Sequence, residues 1–142
     1  MRRFQGLLAV GAVVVTAGAE CSRERVPLPP ADATPQQVVR AYIDAVNAGD
    51  CTSLRALSEP DGFSTLWCRG DVTLTNVRIA EPRPDGCCGG SESHAESRNV
   101  PVVFDRRGGD VSFPDERNAA WGYILVRDDG SQRWRVADQG AG

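Results

Sequence analysis

The sequence predicts an α+β fold in which two or three N-terminal helices pack on a curved antiparallel sheet. Apolar residues recur at helical spacing after residue 34, the periodicity shortens to two after Asp71, and a hairpin pattern ends the chain. The 142 residues fit one domain, and 41% hydrophobic with 25% charged residues is typical of a chain with a packed core.

Residues 1–19 have the layout of a secretory signal peptide. Arg2 and Arg3 precede an uncharged apolar run that ends in the small-residue triplet 17–19, as in cleavable export signals. The run is shorter than the about 20 apolar residues that cross a bilayer. We therefore expect export and removal of this segment.

Cys21 leaves two forms of export open. Bacterial lipoprotein signals place a small residue directly before a cysteine that becomes lipidated, and Glu20 stands at that place here. Lipidation of Cys21 would nevertheless leave four of the five cysteines, an even number, for disulfides. Soluble secretion and a lipid anchor are both extracytoplasmic, and that lipid is the only membrane contact the sequence predicts.

The mature chain is predicted to begin with a proline-rich linker over residues 20–33, followed by a folded domain over residues 34–142. The linker carries three prolines and no apolar periodicity.

The first helix is predicted over residues 35–48. Thr34 fits the N-cap, Pro35 the first helical position and Gln37 the last position of a capping box, and Gly49 fits the C-terminal cap. One apolar stripe follows the helical period: Val38, Tyr42, Ala45 and Val46.

A second, shorter helix is predicted after Asp50, which can cap it. Leu54 and Leu57 lie three apart on one side, and Pro60 ends the pattern. Residues 61–70 are ambiguous.

The first strand changes phase part-way. Val72 and Leu74 point to one face, while Val77 and Ile79 fit the opposite phase. A bulge near residues 75–76 would let both pairs face one core, so we expect a bent strand.

The remaining pattern is β. Residues 81–93 form a surface loop or hairpin tip, and a second strand at 100–104 contains Pro101, which predicts an edge or bulged position. The final hairpin has arms at 121–127 and 133–138 around an Asp-Asp-Gly-Ser turn.

A family resemblance is carried by the string Tyr-Ile-Asp-Ala-Val-Asn-Ala-Gly-Asp at residues 42–50, by Leu54 and Leu57, and by the strand at 134–140. In these features the chain resembles the nuclear transport factor two-like superfamily of cystatin-like α+β cones. It looks most like the small exported or lipid-anchored members from GC-rich Gram-positive bacteria, and the resemblance covers about residues 34–140. It implies a curved sheet that wraps the first helix and leaves a cone-shaped pocket.

The resemblance also raises an enzymatic hypothesis. Ketosteroid isomerases share this fold, and Tyr42 resembles their oxyanion-binding tyrosine in its spacing to Asn47 and Asp50. The two acids that such an enzyme needs find no match here. The alternative for Tyr42 is a core residue with a hydrogen-bonded hydroxyl.

Asp138 is the second candidate site residue. It continues the inward phase of Trp134 and Val136, which would place its carboxylate at the pocket mouth as a ligand or base. The alternative is a residue that caps the strand end or pairs with an arginine.

The single histidine, His94, lies beside the polar loop, and we interpret it as a solvated loop residue. Cys87 and Cys88 are adjacent and lack the spacing with which two thiolates reach one zinc ion. We predict no metal and no cofactor.

Cys51 and Cys68 bracket the second helix, and a disulfide between them would contribute about 3 kcal/mol in the chain-entropy model. Cys87 and Cys88 would then form a vicinal bridge. Four cysteines allow three pairings, and the sequence does not choose among them.

The charge balance excludes one class of function. The net charge is −3, and removal of Arg2 and Arg3 with the signal makes the mature chain about −5. Nucleic-acid binding needs a basic cluster, so we set it aside. The sequence thus predicts an exported, non-enzymatic module that binds a small ligand or a protein; the alternative is a small-molecule isomerase or dehydratase of the ketosteroid-isomerase type.

We predict that the mature protein begins within residues 19–21, because the triplet 17–19 precedes a charged residue. Intact-mass measurement of protein from a native-like host checks this. A chain that still starts at Met1 would contradict the prediction, and an added diacylglycerol mass on Cys21 would identify the anchored form.

Overall fold

The computed structural model describes residues 25–85, 93–109 and 114–142. Over these ranges the chain is an α+β domain, as predicted, with one antiparallel sheet in the order β1-β3-β4-β5 and with β2 beside β3. The sheet does not close on itself. The elements are α1 (Pro35–Ala48), α2 (Cys51–Ala56), a 3₁₀ helix (Thr65–Cys68), β1 (Val72–Ile79), β2 (Arg83–Pro84), β3 (Glu96–Gly108), β4 (Glu116–Arg127) and β5 (Arg135–Ala141).

Several predicted features lie outside the described residues. They are the signal segment, Cys21, and the Cys87–Cys88 pair. In the three described ranges, no helix has the length and apolar character needed to cross a membrane.

The predicted caps of α1 are confirmed. The Gln37 backbone N–H donates to the Thr34 hydroxyl over 3.3 Å, and the Thr34 N–H donates to the Gln37 side chain over 2.8 Å. Gly49 ends the helix in the left-handed region at φ 60°, which costs glycine little. The apolar stripe of this helix is buried against the sheet.

Asp50 caps α2, also as predicted. Its carboxylate accepts a hydrogen bond from the Ser53 backbone N–H over 3.1 Å. Leu54 and Leu57 are fully buried. The ambiguous segment that follows contains the 3₁₀ helix, which carries Trp67 into the core.

The end of α1 is joined to the edge of β1 by one side chain. The Asn47 amide donates to the Leu74 carbonyl over 2.9 Å and accepts from the Leu74 N–H over 2.7 Å. The Asn47 side chain therefore pairs with the outer edge of β1 as a neighbouring strand would, and it satisfies backbone groups that an edge strand leaves open.

The predicted disulfide between Cys51 and Cys68 is confirmed, with 4.8 Å between the two Cα atoms. It ties α2 to the 3₁₀ helix. Gly49 and Gly70 meet beside it, since a Cβ atom on Gly49 would lie 3.1 Å from the Gly70 Cα.

The predicted bulge in β1 is confirmed. The β1–β3 register shifts between Thr75 and Arg78, and Asn76 takes a left-handed conformation at φ 52°. Val77 and Ile79 pack on the core after the shift.

The prediction for Pro101 is wrong, because β3 is an inner strand with partners on both sides. The Pro101 carbonyl accepts from the Ala80 N–H over 2.9 Å. In a strand, the nitrogen and oxygen of one residue face the same neighbour. The proline nitrogen therefore faces the gap between the end of β1 and the start of β2, where no N–H is required.

Residues 25–33, the described part of the predicted linker, lie against the domain. The Val26 N–H donates to Asp50 over 2.9 Å, and the Val26 carbonyl accepts from the Ser53 hydroxyl over 3.0 Å. Farther along, the Pro29 carbonyl accepts from Arg133 over 2.7 Å. The segment forms its hydrogen bonds with the domain, so its lack of apolar periodicity did not reveal the docking.

Replacement of Asn47 by alanine is expected to lower the free energy of unfolding by about 1 to 3 kcal/mol, because two hydrogen bonds to Leu74 are lost. Urea unfolding measures this. Asp44→Ala is the control, because Asp44 is exposed on the same helix. Its replacement by alanine raises the helix propensity by about as much as the replacement of Asn47 does. Equal effects of the two substitutions would contradict the role of Asn47.

Candidate functional site

Aromatic side chains fill the space between α1 and the sheet. The Tyr42 and Tyr123 rings pack edge to face with 5.6 Å between their centroids, and the Trp67 and Trp121 rings pack in the same way with 5.9 Å between theirs. The centroid of the Phe104 ring lies 6.1 Å from that of the Trp121 ring. All five rings are buried, so the interior at this position is occupied by the protein's own side chains.

Tyr42 lies in this interior with its hydroxyl engaged. The hydroxyl accepts a hydrogen bond from the Gln139 side-chain amide over 2.7 Å, and Gln139 also accepts from the Trp121 indole over 3.4 Å. Burial raises the pKa of Tyr42, although its hydrogen bond with Gln139 opposes the rise. The phenol is neutral at physiological pH.

Tyr123 packs against Tyr42. Burial, followed by the neighbouring Tyr42, raises the pKa of Tyr123 far above its ordinary value. Its hydroxyl has no hydrogen-bond partner among the described residues. The interior thus pairs two neutral phenols and offers neither of them a carboxylate from the described part of the chain.

The prediction that Asp138 continues the inward phase is wrong. Val136 lies opposite Leu125 but Asp138 lies opposite Ile124, so Ala137 is an extra residue in β5. Asp138 is exposed, and its carboxylate accepts from the Gln139 N–H over 2.8 Å.

Gln139 takes the inward position expected for Asp138, and sequence reasoning missed it. The residues before it alternate regularly, and nothing in their order marks the bulge at Ala137. The bulge therefore places an amide, and not the predicted carboxylate, on the inward side of β5, where it donates a hydrogen bond to Tyr42.

The interpretation of His94 as a solvated loop residue is also wrong. Its side chain is 16% exposed, with Nδ1 2.8 Å from an Asp128 oxygen and Nε2 3.8 Å from a Glu59 oxygen. Glu59 also pairs with Arg135. Both ring nitrogens face carboxylates rather than a nucleophile, so the arrangement joins three segments of the chain and does not form a hydrolytic triad.

A second cluster lies on the outer face of the sheet, where two irregularities meet at Asp105. One is the β1 bulge, and the other is a register shift in the β3–β4 ladder between Phe104 and Arg106. Asn76 and Asn118 flank Asp105, and both have φ 52°. A left-handed conformation is uncommon outside glycine, and asparagine tolerates it best.

Asp105 holds the two irregular strands together. Its carboxylate accepts from the Asn118 backbone N–H over 2.9 Å and from the Asn76 side chain over 2.6 Å. These two hydrogen bonds lower the pKa of Asp105, and Arg117 and Arg78 lower it further. The carboxylate is therefore charged at neutral pH and already occupied.

The surface around Asp105 forms an open depression of about 700 Å³, which we name the arginine depression. Its lining residues are Asn76, Val77, Arg78, Asp105, Arg107, Arg117 and Asn118. Arg78 donates to the Asn118 side chain over 2.8 Å. Arg107 and Arg117 are exposed and make no ion pair or hydrogen bond within the described ranges.

Sequence reasoning did not identify this cluster. The available signal was the Asp-Arg-Arg run at residues 105–107 that ends the second apolar strand pattern. Arg78 and Arg117 lie far from that run in sequence, and only the strand pairing brings them beside it.

The described residues contain no group of three or more histidine, cysteine, aspartate or glutamate side chains placed to hold a metal ion. Comparison of the chain with protein-family models, with curated proteins and with solved structures found no match.

Asp105→Asn is expected to lower the free energy of unfolding at neutral pH. At low pH the variant and the unmodified protein should be equally stable. A lowered folded-state pKa means that the stabilisation by the carboxylate is present above the ordinary aspartate pKa of about 3.9 and is lost as the pH falls through the folded value. The difference in the free energy of unfolding between the unmodified protein and Asp105→Asn should therefore become smaller below about pH 4.

Urea unfolding over a pH series measures that difference. Asp44→Asn supplies the background, because Asp44 is exposed and accepts no hydrogen bond from the described residues. A difference for Asp105→Asn that stays constant from neutral to acid pH would contradict the role of its charge.

Proposed function

We propose that this protein is an exported, nuclear transport factor two-like module that acts by binding and not by catalysis. The resemblance of residues 42–50 supports the family, and the α+β order of helices before an antiparallel sheet is the order that such a domain requires. A cone-shaped arrangement of sheet and first helix is part of the proposal.

One observation carries the non-enzymatic part of the proposal. The interior beside Tyr42 is filled by buried aromatic rings, and the Tyr42 hydroxyl already accepts a hydrogen bond from Gln139. A ligand that needs this hydroxyl must displace both the packing and the hydrogen bond. Binding to the outer surface, by a small ligand or a protein, requires neither change.

The alternative function is an isomerase or dehydratase of the ketosteroid-isomerase type. It needs a general base and a second acid that face the substrate together with Tyr42. Asp138 is exposed and bonded to its own neighbour, and Tyr42 faces Gln139 and Tyr123 instead. This arrangement favours the binding module.

An extracytoplasmic location, secreted or anchored through Cys21, completes the proposal. The signal-like segment at residues 1–19 supports it. The disulfide between Cys51 and Cys68 supports it as well, because structural disulfides persist in oxidising compartments and are rare in the cytosol.

Tyr42→Phe is expected to lower the free energy of unfolding by about 0.5 to 1.5 kcal/mol, because the hydrogen bond with Gln139 is lost and the ring is kept. Tyr42→Ala should cost about 3 to 5 kcal/mol through loss of the buried ring. Thermal melts of both variants measure the difference, and each melt is repeated with a panel of phenols and steroids.

The same melts test the proposed function. We expect no phenol or steroid to raise the melting temperature of the unmodified protein. A saturable rise that disappears in Tyr42→Phe would favour the isomerase instead.

A further inference from the structure

The arginine depression gathers positive charge on an acidic protein. Arg78 belongs to β1, Arg107 to β3 and Arg117 to β4, three strands that lie side by side in the sheet. All three side chains are exposed. The lining sets these three arginines against one carboxylate, that of Asp105. Because the whole chain carries a net charge of −3, this local excess of positive charge does not reflect composition.

We propose that the arginine depression binds an acidic segment of a partner protein through carboxylate side chains. The inference rests on the proposed function, because it gives the binding module a surface and a class of partner.

The acids near the depression have hydrogen-bond or ion-pair partners other than Arg107 and Arg117, although the charge of Asp105 still attracts Arg117 and Arg78. Asp105 accepts hydrogen bonds from Asn76 and Asn118. At the adjoining edge, Glu116 pairs with Arg106 over 3.2 Å, and Asp115 accepts from the Gly108 N–H over 2.8 Å. Arg107 and Arg117 have no such partner among the described residues.

The position of Arg78 is fixed before any ligand arrives. Its guanidinium donates to the Asn118 side chain, whose backbone N–H is in turn held by Asp105. A side chain ordered in advance loses less conformational freedom on binding. Bulges are frequent beside functional sites because they redirect side chains, and here two of them flank one carboxylate.

The dimensions favour a peptide over a single small anion. The depression has a volume of about 700 Å³, whereas one water molecule takes roughly 30 Å³ in the liquid, so one carboxylate or phosphate leaves most of it empty. Neighbouring strands lie about 4.8 Å apart, so the strands that carry Arg78 and Arg117 are separated by roughly 10 Å across the sheet. Alternate side chains of an extended peptide repeat about every 7 Å, which long arginine side chains can match.

Carboxylates suit these cations because the planar guanidinium donates two parallel hydrogen bonds to one carboxylate. Every basic residue of this chain that is not histidine is arginine. An acidic peptide with carboxylates at alternate positions would therefore pair with two or three arginines of the depression at once.

The test measures binding of a fluorescent hexaglutamate peptide to the purified mature protein by anisotropy, with hexaglutamine as the uncharged probe. The site variant carries Arg78→Gln, Arg107→Gln and Arg117→Gln. The matched control carries Arg25→Gln, Arg40→Gln and Arg83→Gln, which removes the same charge from exposed arginines outside the depression.

We expect hexaglutamate to bind, and to bind less tightly as salt is raised. The site variant should bind at least about tenfold more weakly, and the control variant within about twofold of the unmodified protein, since each exposed ion pair contributes about two- to five-fold. Thermal melts of both triple variants establish that they are folded.

Asn118→Gly provides a second measurement that spares the arginines. Glycine accepts the left-handed φ of 52° and keeps the backbone hydrogen bond to Asp105, but it removes the acceptor that positions Arg78. Binding should weaken about two- to five-fold while all three positive charges remain.

Three outcomes would overturn the inference: no binding of hexaglutamate, equal weakening in the site and control variants, or equally tight binding of inorganic phosphate or anionic lipid vesicles at the same arginines. None of these measurements involves Tyr42. A phenol or steroid that stabilises the protein through Tyr42 would instead overturn the proposed function, so the two failures are distinguishable.

Discussion

The arrangement of this domain depends on the corner between its two α-helices, and above all on the pairing of the Asn47 amide with the Leu74 backbone. That pairing places the end of α1 at the edge of β1 and satisfies the two outward-facing backbone groups of Leu74. Asp50 follows within the same turn, caps α2 and holds Val26 of the N-terminal segment. Burial alone would raise the pKa of Asp50, but its hydrogen bonds outweigh burial and lower it. The disulfide continues the corner into the 3₁₀ helix, so a few consecutive residues join the helices, the first strand and the segment around Val26.

The irregularities in the strands decide which side chains face the interior and which face outward. The bulge in β1 keeps Val77 in the core, and the extra residue in β5 turns Asp138 outward and Gln139 inward. The shift opposite Asp105 brings arginines from three strands to one depression. An added residue reverses the faces of the residues after it, because successive side chains of a strand alternate. The chemistry available on each face is therefore set by the bulges as much as by composition.

The two faces of the sheet differ in what they offer a ligand. The inner face carries closely packed aromatic rings and neutral phenols, and the hydroxyl of Tyr42 is engaged by Gln139. The outer face carries exposed guanidinium groups in an open depression, and its central carboxylate accepts two hydrogen bonds. The interior is thus filled by packed side chains, whereas the outer face has exposed charged groups. The family resemblance implies a ligand pocket in the interior, whereas the exposed charged groups of this chain line a depression on the outer face.

Local patterns in the sequence determined the elements whose causes are local. The capping box at Thr34, the cap at Asp50, the bulge near Asn76 and the disulfide were all predicted, since propensity, spacing and side-chain periodicity act over a few residues. Tertiary structure alone decided the rest, because the partners lie far apart along the chain. Arg133 reaches Pro29 across 104 residues, and Gln139 reaches Tyr42 across 97. The inner place of Pro101 and the meeting of the arginines follow from strand order and register, which depend on the packing of the whole sheet and not on any short stretch of sequence.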